Sequence, residues 1–147
     1  MSVRQQDVVD TLTGFLFCVF DSESDEGEDR SSGRAYLRSR AEARFLEELI
    51  AAPIWEAHRI GISTSDDTIL FGSSLETLCA VLEGAAATVE AKPDSWPVFL
   101  GYRGDEHGPP IHEPARRESL LAFIQSARSL ADRARLSRRF LHWAGGE

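Results

Sequence analysis

Three carboxylates, Asp21, Asp66 and Asp67, are the residues of this 147-residue chain whose types and spacing best suit chemistry. Asp21 closes the apolar run Phe15-Leu-Phe-Cys-Val-Phe20, and Asp66-Asp67 separates two short β-forming runs, His58–Thr64 and Thr68–Phe71. If those runs are neighbouring strands, the carboxylates converge at one sheet edge. Oxygen ligands gathered in this way repel one another unless a cation neutralises them, and they suit Mg²⁺. Two such ions, about 3.5–4 Å apart, clamp the attacking and leaving oxygens of a phosphoryl transfer. The same residues also have a plainer reading. Asp in a tight turn bonds its own backbone, and Asp at a strand end starts a loop.

A second group of acids points elsewhere. Ser22 to Arg34 is rich in Ser, Gly and acids and holds no large apolar side chain, the composition of an exposed loop. Its Glu23, Asp25, Glu26, Glu28 and Asp29 form a negative surface suited to a basic partner. Asp21, Glu23 and Asp25 are spaced like the start of a calcium loop, but Glu26 stands where Gly is needed and Ser32 where the bidentate Glu should be. Trp96 and Tyr102 lie beside a Gly/Pro-rich loop and are candidate aromatic anchors for a partner, with core packing as the alternative for at least one of them.

The remaining reactive side chains are scattered. His58, His107, His112 and His142 show no metal-ligand spacing on a helix. Cys18 and Cys79 sit in apolar surroundings without a basic neighbour in sequence that would lower a thiol pKa. They read as reduced core thiols of a cytoplasmic protein, a single bridge between them being the other option. Gly101-x-x-Gly104 follows a strand but opens no helix and carries no Lys, so it is no phosphate loop.

Hydrophobic periodicity supplies the elements. Phe15–Phe20 reads as a central strand. Tyr36–Ala52 carries apolar residues at helical spacing, and Pro53 should end that helix. Ile60–Thr64 and Thr68–Phe71 read as a hairpin around Asp66-Asp67. Ser73 with Glu76 reads as the capping box of a helix from Leu75 to Val89. Trp96–Tyr102 is a further strand, and Pro114 fits the first turn of a long basic helix over residues 115–142. The expected fold is α+β, a ferredoxin-like βαββαβ domain spanning residues 1–147. It has a four-stranded antiparallel sheet, an exposed acidic loop at 22–34 and the long C-terminal helix as an addition.

An acidic residue after the first strand and another in the central hairpin resemble the palm of class III nucleotide cyclases. Ser65-Asp66-Asp67-Thr-Ile-Leu-Phe71 is also similar to the acidic hairpin of reverse-transcriptase palms. Ile111-His-Glu-Pro-Ala-Arg116 resembles the cyclase segment in which an Asn orients the ribose and an Arg, four residues on, steadies the transferring phosphate. The resemblance implies Mg²⁺ on Asp21, Asp66 and Asp67, Arg116 at the phosphate, and His112 at the ribose of a homodimer acting on a nucleoside triphosphate. The sequence departs from that pattern at Ser65, where cyclases carry Gly, and at His112, where they carry Asn.

Charge bounds the partners. The net charge is −8, yet residues 115–147 carry seven Arg against three acids, and the rest of the chain 9 basic against 21 acidic side chains. The acidic body excludes general nucleic-acid binding. No basic segment followed by an apolar core opens the sequence, and its longest apolar run is far too short to span a bilayer. Two functions follow as expectations. The first is a non-catalytic, cofactor-free binding module that neutralises a basic protein, as inhibitors and immunity proteins neutralise toxins or nucleases. The alternative is the Mg²⁺-dependent cyclase-like enzyme.

Overall fold

The computed structural model describes residues 15–23 and 33–146. In chain order the elements are β1 (Phe17–Ser22), β2 (Arg34–Leu37), α1 (Arg40–His58), β3 (Asp67–Leu70), α2 (Ser73–Glu90), β4 (Ser95–Tyr102), β5 (Pro110–Arg116), α3 (Arg117–Leu136) and β6 (Phe140–Gly145). Four strands form an antiparallel sheet in the order β2-β1-β6-β3, and β4 pairs with β5 in a separate two-stranded ribbon.

β1 is central because its alternate residues are apolar on both faces. Phe17 and Val19 point into the core, and Cys18 and Phe20 lie on the opposite face. Its other neighbour, β6, brings Leu141 and Trp143 to the core face, where the Trp143 ring meets Phe17 and Phe123 edge-on at 5.5 and 5.9 Å. α3 packs across β1, β2 and β6, α2 packs on α3, and α1 connects α2 to the β4–β5 ribbon. One contiguous apolar core runs through all of them. No described helix is long and apolar enough to cross a membrane.

The α+β class and the four-stranded antiparallel sheet agree with the sequence reading, whereas the βαββαβ order does not. The expected terminal helix over 115–142 stops at Leu136. Ser137 caps it, and Arg138 takes a left-handed φ of 55° that turns the chain back as β6. Pro114 belongs to β5, not to a helix start. Residues 60–64 form no strand, so Asp66-Asp67 occupies no hairpin; β3 pairs with β6 instead.

α1 begins later and ends later than its periodicity implies. Ser39 is its N-cap, accepting the Glu42 N–H at 3.2 Å, and β2 occupies the preceding residues. The helix continues through Pro53 because Leu46, Ile50 and Ile54 keep one fully buried stripe running past it. Gly72, with φ 62°, caps α2, so Ser73 does not form the expected capping box. The Ser74 hydroxyl bonds the N–H and carbonyl of Phe71 instead, each at 2.9 Å.

Candidate functional site

The register separates the carboxylates expected to converge. Asp21 pairs across β6 with Leu141, itself opposite Leu70, whereas Asp67 pairs with Ala144. Two strand spacings and three residues along the axis put the Asp21 and Asp67 backbones roughly 14 Å apart. A two-metal clamp needs its ions about 4 Å apart. Asp21 and Asp66 also have engagements of their own. Asp21 is fully buried, and its Oδ2 accepts a bond from Arg139 Nε at 2.9 Å. Asp66 accepts the Ser63 hydroxyl at 2.9 Å, and its backbone carbonyl accepts the Gly145 N–H at 2.8 Å. No group of three or more His, Cys, Asp or Glu among the described residues could hold a metal ion.

His112 and Arg116 lie on β5, outside the sheet that carries Asp21 and Asp67. The Arg116 backbone N–H donates to Glu42 Oε2 at 3.1 Å, and the Ser119 hydroxyl donates to Oε1 of the same carboxylate at 2.7 Å. Glu42 is buried and sits in the first turn of α1. One carboxylate thereby ties the start of α1 to the junction of β5 and α3. Nothing local to Glu42 in the sequence signals this role.

The face of the four-stranded sheet turned away from α3 is aromatic. Across it, Arg34, Phe20, His142 and Ile69 stand in register on β2, β1, β6 and β3. The Arg34 guanidinium lies 4.4 Å from the Phe20 ring centroid, and Phe20 stacks on His142 at 4.7 Å with the planes 3° apart. At the end of this face Phe71, just past β3, meets Phe140 at 4.7 Å. Ile69 and Phe71 remain 42% and 47% exposed, an unusual state for adjacent large apolar side chains on one edge.

The acidic segment leaves the sheet at that same end. Ser22 lies opposite Phe140, and Glu23 follows it with an exposed side chain that pairs with Arg139 Nη1 at 3.2 Å. Arg139 therefore grips both Asp21 and Glu23. Asp25, Glu26, Glu28 and Asp29 lie outside the described residues.

The two aromatic candidates part company. Trp96 is only 8% exposed and packs edge-on against Phe45 of α1 at 5.0 Å, so it is core and not an anchor. Tyr102 is 49% exposed at the end of β4. The arginines of α3 are largely used within the chain: Arg117 pairs with Asp94, and Arg128 with Glu83 and Asp132. Both cysteines are free and buried. Burial lifts the Cys18 thiol pKa above its ordinary value despite the nearby Arg34, and burial with Asp132 beside it pushes Cys79 up to about 11. Neither is an activated nucleophile.

No protein-family model, no curated protein and no solved structure matches the chain.

Proposed function

We propose that this chain is a non-catalytic protein-binding module of the inhibitor or immunity kind. It docks on a basic partner protein through the end of the four-stranded sheet. The observation that carries this reading is the exposed Phe71, its ring tilted against Phe140 at 4.7 Å beside Ile69, at the end of the sheet where the chain leaves β1. An apolar centre bordered by charge is the anatomy of a specific interface. The apolar side chains supply affinity, and a net charge of −8 speeds encounter with a positively charged surface and fixes its register. Glu23 stands at that border, and Asp25, Glu26, Glu28 and Asp29, which follow it in the sequence, are the further acids proposed to meet the partner.

The test immobilises the chain and captures basic proteins fractionated by cation exchange. The expected result is a partner released by moderate salt and lost, at least tenfold in affinity, on Phe71→Ser with Ile69→Ser. Charge reversal at the five acids should slow association while leaving the fold intact. Capture indifferent to both sets of changes sinks the reading.

The enzymatic alternative, an Mg²⁺-dependent cyclase-like homodimer, is weakened by the separation of Asp21 from Asp67. Thermal stabilisation by Mg-ATP or Mg-GTP that Asp66→Asn abolishes would restore it.

A further inference from the structure

The β4–β5 ribbon carries a second surface, on different residues from the sheet end. Its inner face is committed: Trp96, Val98 and Ala115 are buried, and Trp96 packs on Phe45 of α1. Both its edges are interrupted by proline, as the register shows. Pro97 lies opposite Pro114, and Phe99 opposite His112. A proline has no N–H, so a facing Pro–Pro pair belongs to the positions whose backbone groups point away from the partner strand. The Arg116 N–H, two residues beyond Pro114, does point outward, to Glu42. The donors missing at Pro97 and Pro114 are therefore the outward ones in the middle of each edge. A peptide adding as a further strand finds no donor there.

The outer face remains, and it is apolar. Phe99 is 40% and Tyr102 49% exposed. Their rings meet at 5.2 Å with planes 72° apart, and His112 closes on Phe99 at 5.4 Å. The bulge between Phe99 and Gly101, where Gly101 adopts φ 126°, brings Tyr102 onto the same face as Phe99. Two rings nearly at right angles make a notch, flanked by Pro97 and Pro114. Asp105 and Glu106 lie exposed in the connecting loop that follows Tyr102, together with Arg103.

We propose that this face docks a proline-rich, extended segment of a partner protein that carries Lys or Arg beside its prolines. A polyproline II segment has no internal hydrogen bonds, makes no demand for a paired strand edge, and is read by aromatic side chains that grip prolyl rings. The aromatic notch meets the first requirement, and the prolines interrupting both edges disfavour the competing mode. Asp105 and Glu106 of the connecting loop select the basic flank by charge complementarity.

The experiment selects a displayed library of random twelve-residue peptides on the intact chain, then measures chosen peptides by fluorescence anisotropy and by amide chemical-shift mapping. The expected outcome is enrichment of Pro-x-x-Pro sequences flanked by Lys or Arg, with shifts centred on Phe99, Tyr102 and His112. Tyr102→Ala and Phe99→Ser should each weaken binding at least tenfold, and glutamate flanks at least fivefold. Both side chains are exposed, so an unchanged melting temperature confirms that each variant is folded. Absence of enrichment, selected peptides lacking proline, or binding indifferent to both variants overturns the proposal. So does concentration-dependent dimerisation lost in Phe99→Ser, which would assign the face to a second copy of the chain. Phe71→Ser leaves this binding intact, so failure here and failure of the sheet-end interface are separable.

Discussion

Asp21 and Arg139, 118 positions apart in the chain, meet at 2.9 Å where β1 ends and β6 begins. The carboxylate is fully buried and the guanidinium mostly so. Removing one member of such a pair strands the other charge in a poor solvent, at a cost of about 3–5 kcal/mol. Arg139→Ala should therefore lower the urea midpoint strongly. Asp21→Asn in the same background should recover part of the loss. Full stability of the single variant would show that the pair is not what holds this end of the sheet.

Glu42 offers a second test. It is itself buried and accepts from the Arg116 N–H and the Ser119 hydroxyl in part-buried bonds, so Glu42→Ala unties the start of α1 from the junction of β5 and α3 and leaves both donors to water. The expected cost is about 1–3 kcal/mol, that of two charge-assisted, part-buried hydrogen bonds. Glu42→Gln retains one carbonyl acceptor and should cost less. Ser119→Ala, which removes one donor cleanly, should cost least. Thermal unfolding of the three variants checks that order.

Pro53 lies inside α1 with no N–H to give to the turn before it. Because the flanking Ile50 and Ile54 are fully buried and hold the helix together, the proline is tolerated but carries a cost. Pro53→Ala should raise stability by about 1 kcal/mol or more. A lower melting temperature would mean that the local bend is required by the packing.

The thiols predict a pH dependence. Cys79 titrates near 11 in the folded chain against an ordinary 9.0, so folding favours its protonated form. The contribution is fully present below pH 9 and is lost as pH rises through 11. Melting temperature should fall between those values, and less steeply in Cys79→Ala. At pH 8 neither Cys79 nor Cys18 should react quickly with a disulfide reagent until the chain is unfolded.

What could be read in advance follows from how local each signal is. α2 was legible because Leu75, Leu78, Leu82 and Val89 recur on one face, although its start is capped by Gly72 and not by the expected Ser73–Glu76 box. β4 was legible from its own apolar run. β6 was not, because Leu130, Ala131 and Ala134 carry helical spacing up to its doorstep and the turn is made by Arg138, where a glycine normally signals one. β2, only four residues long, disappeared into the apolar stripe assigned to the following helix. β5 was hidden by Pro110 and Pro114, which only a strand with a free edge tolerates.

The site inherited those errors. Tyr102 and the sequence of the acidic segment needed no tertiary information. The Phe71–Phe140 contact did, since Phe140 belonged to a strand that the sequence reading had folded into a helix.

The position of β6 between β1 and β3 has a kinetic consequence. The middle of the sheet cannot zip until the ribosome has delivered Phe140–Gly145, after every other element has emerged. Closing β1 on β6 spans more than a hundred residues, a contact order that slows folding. Until then the edges of β1 and β3 that face β6 stay unpaired, the state in which strands are open to pairing with other chains.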